Sequence, residues 1–150
     1  MIDWGKVDPT ELEPAFRRDV ETLLKASPVI WRVTSGYRSL ATQTAWHKNW
    51  LAYKAYRAGT GPKAPFAGKA AAAGRSAHNY GLAIDVVPDG DPNTPGLQPD
   101  WTPNPGDAWY WLRDSIAPHP GLRHGSHFGD WPHIQKVNWT LRKNWKAVGV

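Results

Sequence analysis

His78 and Asp85 stand on either side of Gly81, and another imidazole, His133, lies far along the chain. Gly81 permits a turn between the first two. Tyr80 to Val87 has strand propensity, with Ala83 and Asp85 on one face under a two-residue period. A turn and a strand joined in this way hold two donor groups rigidly, so the third must be delivered by a distant segment. A His and an Asp at this spacing arise often by chance. Two imidazoles and a carboxylate are nonetheless the donor types of a three-ligand metal site that keeps an open position. Such a site also needs a nearby base, and Asp130, three residues before His133, is a spare carboxylate.

At 150 residues the chain is one domain with room for a real core. It contains no Cys, which excludes disulfide scaffolds, thiolate nucleophiles and Cys-ligated zinc. No apolar run approaches a membrane span, and Met1-Ile2-Asp3-Trp4 lacks the profile of a secretory signal. The net charge of +5 favours polyanionic partners, whether nucleic acid, anionic lipid or the phosphate-bearing polymers of cell envelopes. The basic residues are scattered, apart from Arg142-Lys143-Asn144-Trp145-Lys146. Without a continuous basic stripe or recognised motif, nucleic-acid binding is not expected. The ten Trp residues are expected mainly in the core, although Trp can also stack on sugars or bases.

Leu12, Phe16, Val20, Leu23 and Leu24 recur at helical spacing and predict a helix from about Leu12 to Lys25, ended by Ser27-Pro28. Trp31 to Ser35 is predicted as a short strand. Ser39 is an N-cap candidate for a helix reaching about Ala58, whose Trp46, Trp50 and Tyr53 stripe is expected to face the core. Gly59 to Gly74 reads as a flexible excursion and Asp89 to Gly106 as a loop. A helix over Asp107 to Ile116, a strand within Phe128 to Val137 and a terminal helix from Asn138 to Ala147 complete the order. This succession predicts an α+β fold, a small antiparallel sheet with helices against it.

Ser76-Ala77-His78-Asn79-Tyr80-Gly81-Leu82-Ala83-Ile84-Asp85 resembles the S-x-H-x-x-G-x-A-x-D signature of zinc D,D-carboxypeptidases and L-alanyl-D-glutamate endopeptidases. This group includes VanY-like enzymes and phage endolysins. Asp130-Trp131-Pro132-His133 resembles its second motif, and Ser35-Gly36-Tyr37-Arg38-Ser39 followed by Gln43 resembles its third. The resemblance spans residues 31 to 135, in the family's order, and implies a Hedgehog/D,D-peptidase-like zinc peptidase fold. It implies zinc ligands His78, Asp85 and His133, with Asp130 as general base and Arg38 as oxyanion or carboxylate donor. Ser76 and Gln43 would position substrate. Each also has a plainer reading: Asp130 as a turn residue, Arg38 as a surface ion-pair partner, Ser76 as a cap.

The resemblance further implies bacterial peptidoglycan stem peptides as partners, with no stable membrane insertion and a monomeric chain. The expected activity is endolysin-type cleavage of L-Ala–D-Glu, with the protein held in the host cytoplasm until release to the wall. D-Ala-D-Ala carboxypeptidase or dipeptidase activity and a non-catalytic, zinc-stabilised wall-binding module are the alternatives. His124 and His127 depart from the family's usual pattern and are expected in a loop bordering the cleft rather than on a second metal; His47 and His119 are expected to be structural. Asp89-Gly90-Asp91-Pro92-Asn93, with Asp100, resembles the start of a calcium loop. Thr94 stands where such loops have Gly, so a solvated turn is the main expectation and a regulatory Ca2+ the alternative.

Overall fold

Helix α1 (Pro14–Lys25) begins at Glu13, whose side chain accepts from the Phe16 amide at 2.6 Å, and Pro14 occupies the first turn where no amide donor is needed. Phe16, Val20 and Leu24 fall on one face and are fully buried together with Leu12. Each large apolar side chain so buried contributes about 1.5–3 kcal/mol, which anchors this helix to the body. The computed structural model describes residues 1–89 and 108–142.

Strand β1 (Ile2–Asp3) lies parallel to β2 (Trp31–Ser35), which pairs antiparallel with β3 (Ala83–Pro88). Beyond β3 come β5 (His133–Lys136) and the edge strand β4 (Leu122–His124), both antiparallel to their neighbours. The sheet order is therefore β1-β2-β3-β5-β4, and the expected antiparallel sheet is corrected to a mixed one by its parallel β1 edge. Two residues suffice for β1 because the chain start is tied down on both sides. The Met1 ammonium donates to Leu24 O at 3.2 Å and Trp31 N donates to Met1 O at 3.0 Å.

Helix α3 (Ala108–Ile116) adds Trp109, Leu112 and Ile116 to the core, where Trp109 meets Trp31 edge-on at 5.7 Å. Leu82, Ile84, Val86 and Ile134 complete the buried layer. Only Trp31 and Trp109 are fully buried among the described Trp residues, while Trp4, Trp111, Trp131 and Trp139 pack against the core's margin.

Helix α2 (Leu40–Arg57) begins at Ser39, whose hydroxyl accepts from the Thr42 amide at 3.1 Å. Its aromatic stripe does not enter the core: of its 18 residues only Gln43 is buried. Trp46 stays 45% exposed, and Tyr53 meets Phe66 of the excursion after the helix edge-on at 5.2 Å. That excursion is also pinned rather than loose. Gln43 Nε2 donates to Ala71 O at 2.6 Å, and His47 Nδ1 donates to Ala70 O at 2.7 Å.

Two further boundaries differ from expectation. Ala77–Tyr80 is a 3-10 turn, closed by Gly81 at φ 69°, so the strand begins only at Ala83. Gly125–Phe128 forms another such turn before β5, the strand expected within Phe128 to Val137; of the expected terminal helix, Trp139–Arg142 is a 3-10 turn and the rest lies outside the described residues. The proposed calcium loop beyond Asp89 lies outside the described residues, as does the tail beyond residue 142; Asp89 itself binds Arg32 at 2.6 Å. No described helix is long and apolar enough to cross a membrane.

Candidate metal centre and its cleft

The centre of the sheet assembles the two halves anticipated from sequence. Asp85 and His133 are direct cross-strand partners in the β3–β5 ladder, which places their side chains side by side. His78, on the turn before β3, completes the group, and its ring lies 5.1 Å from that of His133. The donor atoms of His78, Asp85 and His133 lie within 4.8 Å of one another. His78 and His133 are buried, whereas the Asp85 side chain retains 22% exposure toward the cleft.

The outer hydrogen bonds decide which ring nitrogens face the centre. His78 Nδ1 donates to Gly36 O at 2.8 Å, leaving the Nε2 lone pair 3.3 Å from Asp85 Oδ2. His133 Nε2 donates to Gln135 Oε1 at 2.8 Å, leaving Nδ1 3.3 Å from Asp85 Oδ1. Two donors about 2.05 Å from a tetrahedral ion stand about 3.3 Å apart, so this spacing suits zinc ligands. Both rings also have the carbonyl-oxygen partners that orient metal-binding imidazoles.

Burial alone would raise the Asp85 pKa, but His78 and His133 outweigh it and hold the carboxyl well below its ordinary range. Burial would lower the His133 pKa, yet Asp85 and Gln135 carry it above the ordinary value. The carboxylate thus remains ionised between the two rings. Gln135 was not singled out from sequence, although its place two residues after His133 puts it on the same strand face. Replacing Gln135 by Leu is expected to weaken zinc binding about 10–100-fold while leaving the fold intact, as read by competitive chelator titration.

Arg38 is buried beside this group. Its Nη1 donates to Gln43 Oε1 at 2.8 Å, its Nη2 donates to Ser35 Oγ at 2.9 Å, and Asp85 Oδ2 is 3.8 Å away. The guanidinium lies over Trp46 at 3.9 Å, and Nε has no hydrogen-bond partner. Burial lowers its pKa, against the opposing pull of Asp85 and Asp130, but guanidinium remains charged at any working pH. A bulge in β2 between Val33 and Ser35 shifts the register that pairs Ser35 with Asp85. Gln43 therefore joins Arg38 to the Ala71 carbonyl. Ser76 Oγ accepts from the His78 amide at 3.3 Å, and buried Asn79 donates to Arg38 O at 2.8 Å.

Asp130 lines the same cleft from the turn before β5. Desolvation raises its pKa first, followed by the charge of Asp85. Asp130 N donates to Gly125 O at 2.9 Å, and His133 N donates to Asp130 O at 3.1 Å, so base candidate and ligand share one tight turn. A Cβ on Gly125 would overlap the Asp130 carbonyl oxygen and lie 2.8 Å from His133 Cβ. The cleft encloses about 670 Å³ and is bordered by Trp46, Lys69, Arg75, Phe128, Trp139 and the residues above.

His124 is on β4 rather than in a loop. It is buried, with Nε2 donating to Trp131 O at 2.7 Å and Nδ1 facing Ser126 Oγ at 2.9 Å. It braces the Asp130 turn and is not among the grouped donors, while His127 is exposed. Burial, only partly countered by the Trp131 carbonyl, lowers the His124 pKa to about 4. The unfolded chain therefore binds a proton that the folded chain refuses between pH ~6.5 and ~4. Stability present above pH ~6.5 is lost as pH falls through this window, by ~3 kcal/mol from this group. Metal-free wild type should lose melting temperature more steeply there than metal-free His124→Gln; parallel curves would contradict the assignment.

No protein-family model matches the chain, and no curated protein does. Solved structures do. A Serratia marcescens L-Ala D-Glu endopeptidase, ChiX, is 21% identical over 97% of this chain and 95% of its own, with TM-score 0.53. The vancomycin-resistance D,D-pentapeptidase VanY of a VanB-type cassette, an E175A mutant in complex with Zn(II), is 19% identical over 93% and 81%, with TM-score 0.58. VanYB in complex with D-alanine-D-alanine is 18% identical over 94% and 80%, with TM-score 0.56. The chain has the α+β fold of these peptidases.

Proposed function

We propose that the protein is a zinc-dependent peptidoglycan peptidase that hydrolyses the L-Ala–D-Glu bond of the stem peptide. The observation that carries this reading is the donor set itself. His78 Nε2, the Asp85 carboxylate and His133 Nδ1 stand at ligand spacing with their outer nitrogens satisfied, and Asp130 is held at the same cleft. A structural metal has no need of such a base.

His78, Asp85 and His133 would hold the ion. When bound, zinc supplies a Lewis acid that polarises a carbonyl and makes water acidic near neutral pH. Asp130, its pKa raised, accepts the proton of the attacking water and returns it to the leaving amine. A C–O bond forms, the C–N bond breaks, and the proton ends on the new amino group. Arg38 stays cationic beside the donor set, 3.8 Å from Asp85, where its charge favours a substrate carboxylate or a developing oxyanion. Gln43 and Ser35 hold that guanidinium in place, and Ser76 shapes the turn carrying His78.

The nearly complete mutual coverage with the L-Ala D-Glu endopeptidase supports the endopeptidase reading. The slightly higher TM-scores of the D,D-peptidase structures favour the second reading, removal of terminal D-Ala or D-Ala-D-Ala. Product analysis separates them: digestion of purified peptidoglycan should create new D-Glu amino termini, whereas release of D-alanine or its dimer would establish the second. A phage lysin held in the host cytoplasm and acting as a monomer is the setting we propose for the first.

A further inference from the structure

The chain has no Asp or Glu between residues 22 and 84, the stretch that includes β2, α2, the excursion and many of the residues lining the cleft. Three cations line the cleft against two carboxylates, Asp85 and Asp130, and a divalent ion would widen that imbalance. Arg38 is engaged by Gln43, Ser35 and Asp85. Lys69 and Arg75 are different: both are exposed, and neither forms an ion pair among the described residues.

The backbone that carries them is fixed. Ala70 and Ala71 are tied to His47 and Gln43 by their carbonyls. Gly74, at φ 79°, donates to Asn79 Oδ1 at 3.1 Å, and its carbonyl accepts from the Tyr80 hydroxyl at 2.9 Å. Arg75 N donates to Ala72 O at 3.0 Å. Two unneutralised cations are thus placed at a cleft rim by a segment with little freedom, which lowers the ordering cost of binding an anion.

We propose that Lys69 and Arg75 form a second carboxylate subsite, separate from Arg38, that selects stem peptides by the charge flanking the scissile bond. The subsite deepens the peptidase reading and rests on it for the identity of the peptide. In a γ-linked stem, the free α-carboxylate of D-Glu and the extra carboxylate of a diaminopimelate residue share this chemistry. Amidation of the first, or lysine at the position of the second, removes one charge.

The test uses three tripeptides: L-Ala-γ-D-Glu-L-Lys, its glutamate α-amide, and the analogue with meso-diaminopimelate in place of lysine. Calorimetric titration into zinc-loaded Asp130→Asn protein measures affinity without consuming peptide. A carboxylate that reaches the subsite should tighten binding about fivefold, the scale of a solvent-exposed charge pair. Adding Lys69→Gln and Arg75→Gln should bring that ratio close to one, with the melting temperature unchanged. The pair of peptides showing the preference identifies which carboxylate is read. Equal affinity for all three peptides, no measurable binding, or a preference that survives the double substitution would each overturn the subsite. Hydrolysis by wild type is followed in parallel: charge-selective binding without cleavage defeats the peptidase reading and leaves the subsite standing.

Discussion

Asp130→Asn is expected to retain zinc and fold normally while hydrolysing peptidoglycan about 10³-fold more slowly. The substitution preserves shape and removes only the capacity to take a proton, a step worth roughly 10²–10⁴ in rate. Folding should survive because the turn is held through backbone atoms and through His124, not through the carboxylate. Asp130 N binds Gly125 O, His133 N binds Asp130 O, and His124 Nε2 binds Trp131 O. Zinc should remain because Asp130 is not among the three grouped donors. Metal content and turnover measured on one preparation check both statements. Undiminished turnover would sink the proton-transfer role, and loss of metal would make Asp130 a ligand.

Asp85→Ala should have the other large effect, acting on the metal itself. The carboxylate lies 3.3 Å from each facing imidazole nitrogen and 3.8 Å from Arg38, so one truncation removes a donor and the neighbour of a buried cation. Zinc affinity should fall by more than about 100-fold, beyond the usual effect of losing an outer partner. The metal-free variant should also melt below metal-free wild type, because Arg38 loses its nearest carboxylate. Competitive chelator titration and thermal unfolding separate the two effects. Wild-type zinc affinity in this variant would remove Asp85 from the ligand set.

The centre was legible mainly through the resemblance of its flanking motifs, since the spacing of His78 and Asp85 is common and His133 lies far along the chain. The period of β3 put Asp85 on a definite face, and Gly81 marked the turn that separates it from His78. The periodicity of α1 likewise identified Phe16, Val20 and Leu24 as a buried face. What failed depended on partners distant in sequence. The Trp46, Trp50 and Tyr53 stripe has the spacing of a core face, but periodicity shows which side is apolar and not what covers it. Here the side stays at the surface, with Trp46 exposed and Tyr53 meeting Phe66 of the following loop. The two residues of β1 and three of β4 are too short to carry a pattern, and pairing alone makes them strands. His124 looked like loop sequence because nothing local announces its bond to the Trp131 carbonyl. Gln135 left a weak signal, a polar side chain on the same strand face as His133, whose meaning appears only once that imidazole needs an outer partner.

Zinc dependence measured on the intact wall tests the central claim most directly. The protein is stripped with chelator, its metal content is measured, and release of new amino groups from purified peptidoglycan is followed before and after stepwise addition of zinc. The account predicts negligible release from stripped protein, with recovery that saturates near one ion per chain and is absent in Asp85→Ala. Full activity in protein shown to be free of metal, or saturating zinc binding with no release from any wall type, would contradict it.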